Sequence, residues 1–106
     1  MDAVNTIAYT VVASPRGDQA LFDWDEHNEA HVREHGVELT EVEQALSDPD
    51  RIGAAAYRGT DERRWAYLGA TEGRRVLFVV YTRRGRHICV VTARDATERE
   101  KRRYRE

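Results

Sequence analysis

The stretch that most constrains the fold runs from residue 75 to residue 94, because it holds two long apolar runs joined by one short turn. The first run, 76–81, is apolar without a break, which is typical of a central strand covered on both faces. The second run, 88–93, is nearly as apolar, and Arg84-Gly85 between them predicts a hairpin. Each strand ends on an arginine, Arg83 in the first and Arg94 in the second. We expect a rigid hairpin whose rim carries arginines that meet a phosphate.

The chain has 106 residues, enough for one modest hydrophobic core and too few for a second. Charged residues make up 34% and hydrophobic residues 41%, which is typical of a soluble globular protein. No apolar run approaches the ~20 residues of a membrane helix, and the N-terminus lacks the basic start of a signal peptide. The single cysteine, Cys89, cannot form an internal disulfide. We therefore expect a cytoplasmic protein with no membrane partner.

Acidic and basic residues are segregated along the chain, although the formal net charge is only −2. Residues 21–50 carry ten acidic side chains and one basic one, whereas residues 83–106 carry nine basic and four acidic ones. Every basic residue except Lys101 is arginine, which binds phosphate and carboxylate in bidentate fashion. Codon bias in a GC-rich genome explains that choice equally well, but it does not explain the segregation. A basic C-terminal half predicts an anionic partner, nucleic acid first.

The N-terminal half predicts one uncertain strand and two helices. Residues 6–13 are β-like, and 14–18 break them as a turn or linker. Asp25 and Gly36 predict the start and end of a first helix, about 26–35, with Phe22 and Trp24 before it as anchors. A second helix, 40–48, begins with a capping box from Thr40 to Glu43, and Asp48-Pro49 ends it. Its buried stripe comprises Val42, Ala45 and Leu46.

The C-terminal half predicts four strands, 52–58, 63–69, 75–83 and 86–94, joined by short turns that make an antiparallel meander. Asp95 is expected to cap a last helix, 96–105, which is too charged to be stable alone. It must dock through Ala96 and Tyr104 or be held by ion pairs. In a meander of this order Arg64 and Arg83 converge at one end of the sheet with Arg86 near them, while Arg94 lies at the other end. Surface arginines without a ligand explain the same spacing equally well.

Three histidines, His27, His31 and His35, recur at every fourth residue of the first predicted helix. A pair at this spacing can hold a metal ion. No glutamate stands as in H-E-x-x-H and no cysteine is nearby, so a solvated polar face is the favoured interpretation.

Several short motifs follow one order along the chain. They are F-D-W-D at 22–25, H-G-V at 35–37, D-P at 48–49, R-W at 64–65 with Gly69, V-x-Y-T-R at 79–83, V-V-T-A-R at 90–94 and A-T-x-x-E-K-x-x-Y at 96–104. Together they resemble the BrnT family of type II toxin–antitoxin systems over about residues 21–105. We therefore predict an N-terminal extension, 1–20, with a possible extra strand, and a BrnT-like domain, 21–106.

The resemblance implies a RelE-like fold. With the elements above, this predicts an α+β protein with a four-stranded antiparallel meander, two N-terminal helices and one C-terminal helix. It implies a toxin that cuts RNA, needs no metal or other cofactor, and inhibits translation. The implied partners are RNA, a ribbon-helix-helix antitoxin, and operator DNA that only the antitoxin contacts. The catalytic residues that the resemblance implies are His35, Arg64, Arg83 and Glu100, and the RNA-binding residues that it implies are Arg94 and Tyr104. Arg86 is added as a predicted RNA-binding residue because the meander places it near Arg64 and Arg83.

In metal-free RNA cleavage the ribose 2′-OH attacks the adjacent phosphate, arginines stabilise the phosphorane, and His35 or Glu100 transfers protons. His35 can equally cap its helix, and Glu100 can equally pair with Arg103 or Lys101. The chain also departs from the family pattern. Family members usually have a lysine at position 34, an asparagine at 31 and often an arginine at 89, where this chain has Glu34, His31 and Cys89. These departures favour an alternative, a non-catalytic antitoxin-binding or corepressor module.

Overall fold

The computed structural model describes residues 8–13, 19–54 and 63–106, with side chains for 21–54 and 63–106. Within these ranges the chain is α+β, as predicted, and no helix in them is long and apolar enough to cross a membrane. The elements are β1 (Ala8–Ala13), β2 (Gln19–Trp24), α1 (Glu26–Glu34), α2 (Leu39–Leu46), β3 (Ile52–Ala54), β4 (Trp65–Ala70), β5 (Val76–Arg84), β6 (His87–Asp95) and α3 (Glu98–Arg105). The predicted turn at 14–18 and the predicted continuation of the 52–58 strand lie outside the described residues.

The strands form one mixed sheet in the order β1-β2-β6-β5-β4-β3. The four predicted strands do pair as an antiparallel meander. The prediction of a four-stranded antiparallel sheet is nevertheless wrong for the sheet as a whole, because β2 joins β6 in parallel and β1 pairs with β2. Residues 22–25 were expected only to lead into a helix. Phe22 and Trp24 alternate with Asp23 and Asp25, which is the spacing of two that a strand shows. Aspartate is a poor strand former, however, so this pattern did not predict a strand.

Strand β5 lies between β4 and β6 and is covered on both faces, as its unbroken apolar run predicts. Leu77, Val79 and Tyr81 pack with the buried residues of α1 and α2, on what we call the helix face. Val76 and Phe78 pack with Ala96 and Tyr104 on the opposite, α3 face. Phe22 and Trp24, each 1% exposed, anchor the N-terminal half in the helix-face core as predicted.

The helix ends confirm two predicted signals and correct two others. Asp25 caps α1 by accepting a hydrogen bond from Asn28 N at 2.9 Å, and Gly36 follows α1 with φ of 74°. The capping box predicted at Thr40 is wrong: α2 begins after Glu38, whose backbone N–H donates to the Glu41 carboxylate at 3.0 Å. Glu38 and Glu41 have the same spacing of three residues as the predicted pair, Thr40 and Glu43, so the predicted cap lies two residues too late.

The C-terminal helix starts later than predicted. Thr97, not Asp95, is its cap, and accepts a hydrogen bond from Glu100 N at 3.1 Å, while Asp95 completes β6. The helix buries no residue fully and packs through the partly buried Tyr104. The helix therefore depends on side-chain contacts with neighbouring elements, as its high charge predicts.

Helix α2 packs closely on β4 at Gly69. A Cβ atom at this glycine would lie 2.1 Å from the Ala45 carbonyl oxygen, so only glycine allows the helix to approach the strand this closely. On the N-terminal side of Gly69, Trp65 and Tyr67 of β4 lie on the same helix face and are only partly buried.

Candidate nucleic-acid interface

The predicted site residues fall into two groups at opposite ends of the sheet. We call the end where β4 starts and β5 turns into β6 the hairpin end, since Trp65 pairs with Tyr81 and Arg84 with His87 there. The other end we call the Asp95 end. The nine residues of β5 separate the two by about 25 Å at ~3.3 Å per residue. Arg64, Arg83 and Arg86 lie at the hairpin end, and His35, Arg94 and Glu100 lie at the Asp95 end.

At the Asp95 end, Arg75 joins three elements. Its guanidinium contacts the Asp95 carboxylate at 2.6 and 3.0 Å, the Glu41 carboxylate at 2.9 Å and the Gly36 carbonyl at 3.1 Å. The hydrogen bond from Arg75 lowers the pKa of Asp95 against the opposing effect of burial, and the same bond raises the pKa of Arg75. Arg75 thus fastens the end of α1 and the start of α2 to the sheet, and it is a structural residue.

Arg94 and Glu100 bind each other. Their two parallel contacts measure 2.9 and 3.1 Å, and the Arg94 guanidinium also lies 4.3 Å from the centre of the Phe78 ring. The hydrogen bond from Arg94 lowers the pKa of Glu100 despite partial burial. A carboxylate with a lowered pKa is a weaker proton acceptor. The geometry assigns this predicted base and this predicted RNA-binding residue a clear role in holding α3 on the sheet.

Tyr104 is also occupied in docking α3. Its hydroxyl donates to Asp48 Oδ2 at 2.5 Å, and that oxygen also accepts from the Ala70 backbone N–H at 2.8 Å. Burial and then the bond to Asp48 raise the pKa of Tyr104 to about 12. Burial alone would raise the pKa of Asp48, but its hydrogen bonds from Tyr104, Ala70 and Asp50 and the charge of Arg51 leave it lowered.

His35 stands at the C-cap position of α1, where its backbone N–H donates to the Val32 and Arg33 carbonyls. Its ring is exposed and meets the His31 ring edge to face, with centroids 5.4 Å apart. Within residues 8–13, 19–54 and 63–106, no group of three histidine, cysteine, aspartate or glutamate side chains is placed to hold a metal ion.

The hairpin end carries a concentration of positive charge. Arg63, Arg83, Arg84 and Arg86 are exposed there, and Arg64 is half-buried. Tyr81 lies on the helix face, so Arg83 follows it on that face, whereas Arg84 lies on the α3 face. Residues 83–88 contain no acidic side chain. The strand register places Arg64, Arg83 and Arg86 at one end of the sheet, as predicted. Arg64 and Arg83 lie on opposite faces, however, because Arg64 precedes Trp65, which is on the helix face with Tyr81.

A histidine that the sequence interpretation passed over lies at the same end. His87 starts β6, directly across from Arg84, and its Nδ1 is 3.6 Å from Asp23 Oδ2. Cys89 Sγ lies 4.0 Å from the same oxygen. The parallel pairing of β2 with β6 creates this contact, and no motif spacing signals it, because Asp23 and His87 are far apart in sequence. A carboxylate on the Nδ1 side of an imidazole orients the ring.

A comparison with protein families identifies the family of this chain. The sequence model for the BrnT ribonuclease toxin of type II toxin–antitoxin systems matches residues 24–100, which is more than half of the chain. Among curated proteins no match was found. The matched segment contains β2's last residue, both N-terminal helices and the sheet through β6, so it includes the hairpin end.

Proposed function

Because the chain belongs to the BrnT family of ribonuclease toxins of type II toxin–antitoxin systems, we propose that it cleaves RNA at the hairpin end without a metal ion and so inhibits translation. The observation that carries this assignment is that Arg64, Arg83, Arg84 and Arg86 lie at the same end of the sheet as the His87–Asp23 pair, with Arg84 directly across from His87. Cations, a proton carrier and a carboxylate that orients it are the groups that metal-free cleavage requires.

In this mechanism the arginines bind the scissile phosphate and stabilise the charge of the phosphorane. The His87 imidazole accepts the proton of the ribose 2′-OH, whose oxygen attacks the adjacent phosphorus. The bond to the 5′-oxygen breaks, and that oxygen takes up a proton, leaving a 2′,3′-cyclic phosphate and a 5′-hydroxyl. Asp23 holds the imidazole by its Nδ1 side, as carboxylates do in acid–base sites.

His35 and Glu100 are placed less well for this chemistry. They lie at the Asp95 end, about 25 Å from the arginines of the hairpin end, and Glu100 is bound by Arg94. Their participation in cleavage stays a prediction, and a His35→Ala variant tests it directly against His87→Gln.

The test uses purified protein, a labelled RNA and EDTA throughout. We expect wild type to produce 2′,3′-cyclic phosphate ends, and Arg83→Ala and His87→Gln to lose activity by about 100-fold or more. His35→Ala retains activity. Arg105→Ala removes an exposed arginine of α3 and serves as the matched control with full activity. Absence of cleavage by wild type, or dependence on a divalent metal, refutes the assignment.

The family implies an antitoxin partner. We propose that this partner is a ribbon-helix-helix protein and that it alone contacts operator DNA in the complex. Growth arrest on induction of the toxin, relieved by co-expression of the neighbouring gene, tests the partnership. A DNA-binding assay with the toxin alone tests whether only the antitoxin contacts DNA, and we expect no binding at physiological salt.

A non-catalytic module that only binds the antitoxin or acts as a corepressor is the second candidate. The separation of His35 and Glu100 from Arg64 and Arg83 favours it, because the residues that the family resemblance implies do not meet in one pocket. The cleavage assay separates the two candidates, since a non-catalytic module leaves the RNA intact and still binds the antitoxin.

A further inference from the structure

Three aromatic rings form a row on the helix face of β4 and β5, where the strands continue beyond α2. Trp65 and Tyr81 are stacked with centroids 6.0 Å apart and planes 16° apart, and Tyr67 and Tyr81 are stacked at 6.2 Å and 9°. Tyr81 is buried, whereas Trp65 and Tyr67 are partly exposed. The row results from cross-strand pairing, because Trp65 lies opposite Tyr81 and Tyr67 lies two residues further along β4.

Arginines lie at both ends of this row. The Arg63 guanidinium lies over the Trp65 ring, 5.1 Å from its centre, and the Arg51 guanidinium lies over the Tyr67 ring at the same distance. A base that stacks on either ring therefore takes the place of the guanidinium group. Arg83 follows Tyr81 on the same face toward the hairpin end. Such contacts stabilise a folded surface only slightly when exposed, by about 0.5–1 kcal/mol each.

We propose that Trp65 and Tyr67 stack with unpaired RNA bases while Arg51, Arg63 and Arg83 bind the phosphates beside them. This inference rests on the proposed function, since it extends the RNA path from the hairpin end along the helix face. Parallel ring planes with arginines at phosphate reach are the features by which proteins bind single-stranded RNA. Paired RNA cannot use the row, because its bases are stacked within the duplex. The occupant is therefore a single-stranded segment next to the scissile link.

The experiment measures binding of a 2′-O-methyl oligonucleotide, which cannot be cut because its 2′-oxygen is blocked. An oligonucleotide of the same backbone with abasic residues is measured in parallel. We expect Trp65→Ala to weaken binding of the base-bearing probe by about 10-fold or more and to leave binding of the abasic probe unchanged. Trp65→Phe keeps a ring and retains most of the affinity. Arg105→Ala, on α3, weakens neither preferentially.

Tryptophan fluorescence supplies a second readout. Trp24 is 1% exposed in the core, so quenching of emission by the base-bearing probe reports on the partly exposed Trp65. We expect quenching by the base-bearing probe and little by the abasic one. Thermal unfolding verifies that each variant is folded, and Tyr67→Ala provides an independent variant should Trp65→Ala unfold.

The outcomes distinguish this inference from the proposed function. If wild type cleaves RNA but binds both probes equally, or if Trp65→Ala and Tyr67→Ala keep the preference for bases, the stacking inference is wrong and the ribonuclease assignment stands. If wild type prefers the base-bearing probe and loses this preference on Trp65→Ala, but cleaves no RNA, the stacking inference stands and the cleavage assignment fails.

Discussion

Replacing Tyr104 by phenylalanine isolates the hydrogen bond that fastens α3 to the turn after α2. The ring stays in its cluster, and only the hydroxyl that donates to Asp48 is lost. A hydrogen bond to a charged group contributes about 1.5–3 kcal/mol. The rise in the pKa of Tyr104 from 10.0 to about 12 corresponds to an upper bound of ~2.7 kcal/mol. Burial is its largest cause and the site is partly exposed, so we expect a loss of about 1–1.5 kcal/mol.

The assay is unfolding in urea and by heat at pH 7 and at pH 2.5. Folding lowers the pKa of Asp48 below its ordinary 3.8, so the stability from this carboxylate is present above that pH and is lost as the pH falls through the folded-state pKa. Wild type should therefore exceed Tyr104→Phe by about 5 °C in Tm at pH 7, and the gap should shrink at pH 2.5. On the alkaline side, the Tyr104 contribution is present below pH 10 and is lost as the pH rises through about 12.

A double-mutant cycle with Asp48→Asn gives the control. We expect the two substitutions to be non-additive, because each removes part of the same hydrogen bond. An equal loss of stability at both pH values, or strictly additive effects, would refute the reasoning. The same variant also separates docking from RNA contact, since phenylalanine keeps a ring that could stack on a base. We expect RNA affinity to be unchanged wherever the variant is folded.

Three further substitutions test the packing and the ion pairs. Gly69→Ala should lower the free energy of unfolding in urea by about 2–3 kcal/mol, because its Cβ would lie 2.1 Å from the Ala45 carbonyl oxygen. Gly53→Ala is the control and should change it by less than about 0.5 kcal/mol, because no atom lies within 4 Å of the added Cβ. Equal effects would contradict the predicted clash. Arg75→Gln should cost about 1–2 kcal/mol, which salt should reduce, and a salt-independent loss would argue against its ion pairs. Glu100→Gln should cost about 0.5–1 kcal/mol at pH 7, because it removes the charge that binds Arg94. The pKa of Glu100 is lowered from 4.5 by folding, so the stability from this carboxylate is lost as the pH falls through the folded-state pKa. A loss that is as large at pH 2.5 as at pH 7 would contradict this.

The central hairpin could be predicted because its signal is local. An unbroken apolar run of this length is typical of a strand buried on both faces, and Arg84-Gly85 favours a tight turn between two such runs. The helix signals were nearly as local, and the errors of two residues at Glu38 and at Thr97 arose where several nearby residues could act as the cap. The motifs that identify the family are likewise short segments of contiguous sequence.

The parallel pairing of β2 with β6 could not be predicted, because it depends on contacts between residues more than sixty positions apart. That pairing decides where Asp23 meets His87. The connection from β6 into α3 places Arg94 on Glu100. The strand register puts Arg64 at the end of the sheet opposite to Arg75, which binds the Gly36 carbonyl next to His35. The sequence by itself therefore determined which side chains carry charge, which strands are buried on both faces and which family the chain resembles. Only the tertiary structure decided which of those charges pair, as Arg94 does with Glu100, and which lie together at one end of the sheet, because ion pairing depends on distance in space and not on spacing along the chain.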